Sequence, residues 1–309
     1  MSICLTLSNK VSNDSWKKTI PLVDGFGTEG IGSMIQYHLL LEFYADFIGV
    51  DFTYPGSSNF SHHSYSGYSE SEYLKLIDTF FNFPNLKNEW DQVHNITQIN
   101  QSLFSLIEDN KDNNKKILVN LSNCHKQIES LCQQNVNNIF TKERVDKIRN
   151  KLILTGEKYF NDDINISLHL RTTNPNDIPS EIVSPLREYY VKESGFYRYR
   201  NLINFLKENT QNQKVTLHIH SQGFTTNFEE FLEFRTDEFD VKIHIDDHPV
   251  VDLYHMSNSD LLVMSNSSFS WVSSLLNSNQ KIVRDNFTNG SFTHNSLKAN
   301  YDYTEIKGE

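Results

Sequence analysis

The residues best suited to bind a polar ligand are concentrated in the segment 250–276. Asp252 stands near the start of a predicted helix, and the apolar run Leu261–Met264 predicts a buried strand. Ser267 and Ser268 follow that strand at the start of the next helix, where backbone N–H groups and hydroxyls meet the positive end of the helix dipole. Such a corner suits a phosphate group, although a serine at this position can equally be a simple N-cap.

Strands and helices that alternate along the second half of the chain must position these residues. Period-two alternation of apolar and polar residues indicates strands, and longer amphipathic stretches indicate helices. The predicted strands are Ile164–Leu170, Val215–His220, Val241–Ile245, Leu261–Met264 and Lys281–Arg284, the last of the chain, and the predicted helices are Phe196–Asn209, Asn227–Phe234, Val250–Ser257 and Ser268–Leu276. Short strands separated by helices imply right-handed crossovers, and therefore a parallel sheet with helices on both faces.

Polar residues stand at the carboxyl ends of these predicted strands, where ligands bind in parallel sheets. They are Arg171, Ser221, Asp246 and the run Ser265–Ser268. Arginine presents a planar bidentate fork that suits a diphosphate, although an isolated Arg171 is equally well explained as a surface ion-pair partner. The arrangement predicts a crevice for an anionic ligand.

A glycine-rich loop is the clearest feature of the first half. Asp24–Ser33 includes Gly30 and Gly32 and precedes the predicted helix Met34–Ile48. Glycines permit close approach of the backbone to a ligand. The loop is neither a Walker A loop nor a sound dinucleotide fingerprint, because the required lysine and a clear leading strand are missing. Further helices are predicted at Glu70–Phe81, Gln101–Asp109, Cys124–Asn135 and Thr141–Leu154, with a strand at Ile117–Asn120.

Composition and charge restrict the class of protein. The chain has 309 residues, of which 38% are hydrophobic and 12% aromatic, so two domains with buried cores are expected. A formal net charge of -11 argues against nucleic-acid binding, so an anionic ligand must be held by a local site. No apolar run approaches the roughly 20 residues of a transmembrane helix. The three cysteines do not have the spacing of metal ligands, which fits a reducing compartment. A cytoplasmic protein is expected.

Three motifs resemble those of the fucosyltransferase superfamily, which unites bacterial alpha-1,2-fucosyltransferases with alpha-1,6- and protein O-fucosyltransferases. The segments Asp252–Ser257 (DLYHMS) and Ser265–Trp271 (SNSSFSW) are similar to its acid, Met-Ser and N-S-S-F-S-W signature. His169–Arg171 (HLR) is similar to the start of its H-x-R-R-G-D motif, and Gly30–Tyr37 (GIGSMIQY) to its G-x-G-N-x-x-x-Q-Y helix start. The order and spacing of the motifs fit, although only a small share of the residues are identical.

The resemblance implies an α/β fold of the GT-B type, in which two Rossmann-type domains face a cleft that holds a nucleotide sugar. An N-terminal acceptor-side domain at residues 1–158 and a C-terminal nucleotide-sugar-binding domain at residues 159–309 are expected. By the same resemblance, Arg171 holds the donor diphosphate, and Asp252 and His169 help to read the nucleoside. Ser267, Ser268 and Phe269 enclose the phosphates and the sugar. The predicted binding site also contains Gly30, Gly32, Ser33, Ser221 and Asp246.

The expected reaction moves a sugar, with GDP-fucose as the first candidate donor, to a hydroxyl of a glycan or glycoconjugate acceptor. Enzymes of this kind use an inverting displacement without a bound metal or other cofactor, because Arg and helix N–H groups neutralise the leaving diphosphate. A carboxylate base assists the acceptor hydroxyl. Glu29 is the first candidate for this base, since it resembles the acid of a protein O-fucosyltransferase loop, and Asp24 is the second. A solvated loop carboxylate is an equally open interpretation of Glu29.

The chain departs from the family pattern at several positions. Thr172 and Thr173 stand where Arg and Gly are common, Ser33 replaces the usual Asn, and the motif aspartate has no counterpart before Asp177. The missing second Arg leaves other donors open, such as a UDP-pentose. It also leaves open a non-catalytic module that binds a sugar nucleotide or a glycan. A carboxylate metal site at Asp246–Asp247 is disfavoured, because hard-oxygen sites seldom rest on a single pair of acids.

Aromatic and imidazole side chains outside the motifs have less specific interpretations. The tyrosine-rich run Tyr54–Tyr73 either lines an acceptor groove by stacking on sugars or forms a loop. His218 and His220 lack zinc spacing with cysteine partners, so they are interpreted as surface residues or as core histidines with satisfied hydrogen bonds.

Overall fold

Two β-sheets with helices packed against them form the fold. The computed structural model describes residues 2–7, 31–56, 68–85, 90–110, 114–121, 124–153, 160–171, 196–222, 225–284, 296–299 and 303–308. The predicted α/β class, with parallel sheets flanked by helices, is confirmed. The arrangement of two Rossmann-type domains facing a cleft, and the domain boundary after residue 158, stay predictions.

The first sheet has four strands in the order β2-β1-β4-β3, and every neighbouring pair is parallel. The strands are β1 (Ser2–Thr6), β2 (Asp51–Phe52), β3 (Gln92–Asn95) and β4 (Lys116–Asn120). Only β4 was predicted from the sequence. The edge strand β2 has two residues and the edge strand β3 is largely polar, so neither carries the apolar alternation on which strand prediction depends.

The helices agree with the sequence pattern except at their ends and at the short helix Val136–Ile139, which was not predicted. They are α1 (Ile31–Ile48), α2 (Glu70–Phe81), α3 (Gln101–Asp109), α4 (His125–Gln134), α5 (Val136–Ile139), α6 (Lys142–Arg149), α7 (Phe196–Asn209), α8 (Pro249–Asn258) and α9 (Ser268–Leu276). The capping box of Ser69 and Glu72 begins α2, and Asn82 in the left-handed conformation ends it. The predicted helix Thr141–Leu154 was too long, because α6 ends at Arg149 with Asn150 as its C-cap.

One predicted α-helix is wrong in type. Residues Thr225–Phe234 form a 3-10 helix instead of the α-helix predicted at Asn227–Phe234. Phe228 and Phe231 are buried, and Phe234 packs beside them. Because side chains three residues apart lie on the same side of a 3-10 helix, this spacing places the three rings against the sheet.

The second sheet has seven strands in the order β11-β10-β9-β8-β5-β6-β7. They are β5 (Ile164–His169), β6 (Val215–Ser221), β7 (Phe239–Ile245), β8 (Leu261–Val263), β9 (Gln280–Arg284), β10 (Ser296–Ala299) and β11 (Ile306–Gly308). The five predicted strands β5 to β9 are confirmed, and their pairings are parallel. The prediction that Lys281–Arg284 is the last strand is wrong, since β10 and the antiparallel β11 extend the sheet. These two strands are short and interrupted by polar residues, so they lack a clear pattern.

The two faces of the second sheet differ in chemistry. One face is apolar and packs against α7 and the 3-10 helix in a cluster that includes Leu168, Leu217 and Ile219. The other face carries a buried polar row, made of Asn165, Ser167, His169, Thr216, His218 and His220. Parallel strands covered on both faces are usually apolar on both. The polar row therefore departs from what packing alone would favour.

A single apolar cluster joins the first sheet to the helices of the second half. It includes Leu39 and Phe43 of α1, Met256 of α8, and Trp271 and Leu275 of α9. The start of α1 thereby lies against the start of α9. Within the described ranges, no helix combines the length and the apolar character that crossing a bilayer requires.

Candidate functional site

His169, the last residue of β5, is held by hydroxyl groups from the loop and helix that follow β8. Its Nδ1 lies 2.5 Å from Ser270 Oγ and 2.8 Å from Ser265 Oγ. The Ser265 N–H donates to Ser270 Oγ at 3.2 Å, so the Ser270 hydroxyl proton remains available to Nδ1. Each serine hydroxyl can donate a proton to Nδ1 or accept one from it, so these contacts hold the ring in either neutral tautomer.

His169 is neutral at physiological pH. Burial, with smaller contributions from the positive charge of Arg171 and from His220, lowers the pKa of His169 to about 3. The ring of Phe269 packs against the imidazole with centroids 5.4 Å apart. His169 and Arg171 of one predicted motif and Phe269 of another therefore lie together at the carboxyl end of β5.

Ser267 begins α9 as its N-cap. The Phe269 N–H donates to Ser267 Oγ at 3.2 Å, and the Trp271 N–H donates to the Ser267 carbonyl at 3.1 Å. The simple capping interpretation of this serine is thus correct. A capping role for Ser267 is compatible with ligand binding. The cap fixes the start of α9, where Ser268 is half-buried and the helix dipole favours negative charge.

Gly32 brings the start of α1 into direct contact with the start of α9. A Cβ added at Gly32 would lie 2.6 Å from the backbone N of Phe269 and 3.0 Å from Ser268 C. Only glycine permits this approach without displacing a backbone. Two helix N-termini therefore meet at one place, beside His169 and Arg171, and their dipoles favour the same negative charge.

Asp252, in the first turn of α8, is paired with His220, which the sequence analysis did not assign to the ligand site. Asp252 Oδ1 lies 2.7 Å from His220 Nδ1, and His220 Nε2 lies 3.4 Å from Ser167 Oγ. Burial raises the pKa of Asp252 well above its usual range, and the charge of Asp247 adds to the increase. Burial also lowers the pKa of His220. Both groups favour their neutral forms, so the pair is an uncharged carboxyl–imidazole hydrogen bond.

Ser221 and Asp246 connect the strand ends. Ser221 Oγ donates to the Leu170 carbonyl at 2.8 Å, and the Asp246 N–H donates to the Ser221 carbonyl at 3.1 Å. Asp246 has a positive φ of 57°, at which the chain turns from β7 towards α8. These contacts order the edge of the sheet around the candidate site, and direct contact of either side chain with a ligand stays a prediction.

The candidate base and part of the glycine-rich loop lie outside the described residues. Asp24, Glu29 and Gly30 are in this group, and so are Thr172 and Thr173. Ser33 lies within α1, although its side chain is outside the description.

The buried histidines form a row of stacked rings across the polar face. The ring centroids of His218 and His244 are 5.2 Å apart, and those of His220 and His244 are 5.0 Å apart. His218 Nε2 faces Asn165 Oδ1 at 3.1 Å, so Nδ1 accepts from His244 Nε2 at 3.0 Å. Burial lowers the pKa of His218 to about 2. His218 and His220 are thus core histidines with partners, one of the two interpretations offered by the sequence.

A sequence signal for this row existed. His218 and His220 alternate with apolar residues along β6, as Ser167 and His169 do along β5, so period two places them on one face. In the parts of the chain that are described, no group of three or more His, Cys, Asp or Glu side chains could hold a metal ion.

Comparison with known proteins finds similarity at the level of structure, and the match described here is weak. No protein-family profile and no curated protein sequence matches the chain. A crystal structure of the protein O-fucosyltransferase POFUT1 in complex with GDP-fucose is 12% identical, with a TM-score of 0.29. The match covers 90% of this chain and 70% of that one. A similarity at this level carries no argument about function, which must rest on the motifs and the site.

Proposed function

We propose that this protein is a glycosyltransferase that binds a nucleotide sugar through its diphosphate and transfers the sugar to an acceptor hydroxyl. The observation that carries the proposal is the meeting of two helix N-termini at Gly32 and Phe269, beside His169 and Arg171. Helix starts and a guanidinium group favour phosphate oxygens. The net charge of -11 makes such a local site necessary for an anionic ligand.

The motifs that resemble fucosyltransferases favour GDP-fucose as the donor. Those motifs supply the residues at the contact between α1 and α9, and also His169, Arg171 and Asp252. Their proximity in the structure supports a common binding role. Because a threonine replaces the second Arg of the family motif at position 172, a related donor such as a UDP-pentose is the second candidate.

The proposed reaction is an inverting displacement at the anomeric carbon. The acceptor oxygen forms a bond to that carbon while the bond to the donor diphosphate breaks, and the acceptor proton passes to a carboxylate base. Arg171 and the N-termini of α1 and α9 stabilise the negative charge of the leaving diphosphate without a metal. Glu29 is the proposed base, with Asp24 as the alternative.

Release of nucleotide from a panel of donors tests this function. The purified protein is incubated with GDP-fucose, other GDP-sugars and UDP-sugars, with and without a glycan acceptor, and free GDP or UDP is measured. Activity should survive EDTA. Arg171→Ala should lower turnover at least a hundredfold, whereas Arg200→Ala, at an exposed ion pair on α7, should leave turnover unchanged.

The possible results separate the candidate functions. Donor binding without release of nucleotide from any donor would support a non-catalytic sugar-nucleotide module instead of an enzyme. Loss of activity with EDTA would contradict the metal-independent reaction. Wild-type turnover by Arg171→Ala would show that the assignment of the diphosphate site is wrong.

A further inference from the structure

The start of α8 carries a buried hydrogen-bond donor that needs an acceptor. His248 is the N-cap of α8 and only 7% exposed. Its Nδ1 accepts a hydrogen bond from the Val250 N–H at 3.2 Å, and burial lowers the pKa of His248 to about 4. The ring is therefore neutral, with its proton on Nε2. This Nε2 has no hydrogen-bond partner among the residues that the structure describes, a state that is costly for a buried polar group.

Two tyrosines from the first half of the chain pack around His248. The Tyr68 ring meets the imidazole edge-on, with centroids 5.0 Å apart and an interplanar angle of 85°. The Tyr73 ring lies at 4.8 Å and is buried. Tyr68 is 41% exposed. Its ring can therefore still stack on a planar ligand, as aromatic side chains do with nucleobases.

The charges near His248 favour an uncharged acceptor. Asp246 and Asp247 immediately precede His248. These acids disfavour a phosphate or a carboxylate at Nε2, despite the positive end of the α8 dipole. A carbonyl or hydroxyl oxygen satisfies the donor without adding negative charge.

The position of His248 relative to the candidate diphosphate site favours the nucleoside end of a donor. Arg171 follows β5, whereas α8 follows β7, and β6 lies between these strands. Neighbouring strands are about 5 Å apart, so the two positions are separated laterally by about 10 Å. A nucleoside attached to the bound diphosphate spans such a distance.

We infer that His248, Tyr68 and Tyr73 form a nucleobase subsite, in which the His248 Nε2–H donates to a carbonyl oxygen of the base and Tyr68 stacks on its ring. This inference rests on the proposed function, because it assumes a bound nucleotide sugar. Guanine and uracil offer a carbonyl oxygen beside a ring N–H. Adenine presents an amino group at the corresponding edge, where it would oppose the imidazole N–H. The subsite therefore selects GDP or UDP over ADP.

Calorimetric titration with GDP, UDP, ADP and inorganic pyrophosphate tests the subsite. The wild-type protein should bind GDP or UDP at least tenfold more tightly than ADP. His248→Ser keeps an N-cap oxygen and deletes the Nε2–H, so it should weaken the tighter nucleotide about tenfold and leave pyrophosphate unchanged. Tyr68→Ala should weaken every nucleotide but not pyrophosphate.

Matched controls exclude general effects of these substitutions. His94→Ser removes another histidine whose Nε2 has no partner in the described chain, in β3 of the first sheet. Phe104→Ala removes another exposed ring, on α3. Neither should alter the affinity for any of the four ligands.

The failure of this inference is distinguishable from the failure of the proposed function. If the wild-type protein binds none of the nucleotides, both are wrong. If it binds them but His248→Ser leaves the ratio of ADP to GDP or UDP affinity unchanged, only the nucleobase subsite is wrong. An effect of Tyr68→Ala confined to the KM of a glycan acceptor would also overturn the nucleobase assignment and place the acceptor there.

Discussion

Replacing Gly32 with alanine is expected to separate the two helices that meet at the candidate diphosphate site. The added Cβ would lie 2.6 Å from Phe269 N and 3.0 Å from Phe269 Cα, whereas ordinary contacts begin at 3.4 Å. Because the opposing atoms belong to the backbone, a side-chain rotation cannot relieve the clash. The start of α1 must therefore move away from α9 by about 0.8 Å, the difference between 2.6 and 3.4 Å.

Two opposing contributions set the change in the free energy of unfolding that Gly32→Ala should cause. Overpacking of this kind costs about 1–3 kcal/mol. Alanine in a helix interior is favoured over glycine by about 1 kcal/mol, and less at the second residue of a helix such as Gly32 in α1. The free energy of unfolding should therefore fall by about 1–2 kcal/mol. A displacement near 1 Å at a site of group transfer can lower the rate about a hundredfold, so kcat/KM should fall by about tenfold to a hundredfold.

The assay combines urea unfolding with nucleotide release from the preferred donor. Gly49→Ala is a suitable control, because Gly49 has a φ of +75° and nothing lies within 4 Å of an added Cβ. The left-handed conformation makes alanine cost about 1–2 kcal/mol there. Gly49→Ala should therefore match the stability loss of Gly32→Ala without its loss of donor turnover.

Two results would refute the reasoning. Unchanged stability and turnover of Gly32→Ala would mean that α1 and α9 do not approach as closely as the structure places them. A stability loss with unchanged turnover would mean that the contact serves packing alone and that the donor phosphates bind elsewhere.

Three further predictions concern the buried polar groups. The pKa of His38 is lowered by burial to about 3, so the unfolded chain binds more protons between that pH and about 6.5, and stability falls as the pH falls through this window. Between pH 7 and pH 5 the wild-type protein should lose about 2 kcal/mol more stability than His38→Leu in urea titrations; equal losses would show that His38 is protonated in the fold. Asp252→Asn, which keeps a partner for His220, should change the free energy of unfolding by less than about 1 kcal/mol, whereas Asp252→Ala should cost about 1–3 kcal/mol; a large cost for the asparagine would indicate a buried carboxylate. Asn277 donates to the carbonyls of Met256 and Ser259 from a fully buried position, so Asn277→Ala should cost about 2–3 kcal/mol, and a midpoint in urea equal to the wild type would contradict this.

The central part of the second sheet was predictable because its pattern is local. β5 to β9 carry apolar alternation or short apolar runs, and the helices between them have amphipathic faces. Five strands were missed, namely β1, β2, β3, β10 and β11. All of them except the apolar β1 have few or polar residues and depend on pairing with neighbouring strands. The same dependence explains Thr225–Phe234, where contact with the sheet selects a 3-10 helix over the predicted α-helix.

The candidate site was predicted as a set of residues but not as a set of contacts. Strand ends and motifs indicated His169, Arg171, Asp252 and the start of α9. They did not indicate that Ser270 hydrogen-bonds to His169 or that His220 hydrogen-bonds to Asp252. They also did not indicate that His248 carries a donor without a partner in the described chain. These partners are separated in the chain, so no local pattern identifies them.

The sequence by itself determined the order of the elements from β5 to β9 and placed polar groups at their carboxyl ends, because side-chain periodicity and helix-start preferences act over a few residues. The tertiary structure decided that Gly32 touches the backbone of Phe269, that Asp252 and His220 share one neutral hydrogen bond, and that His169 is uncharged. These contacts and protonation states depend on which side chains are buried together, away from water. Burial and distance between remote segments set them, and both arise only when the chain has packed.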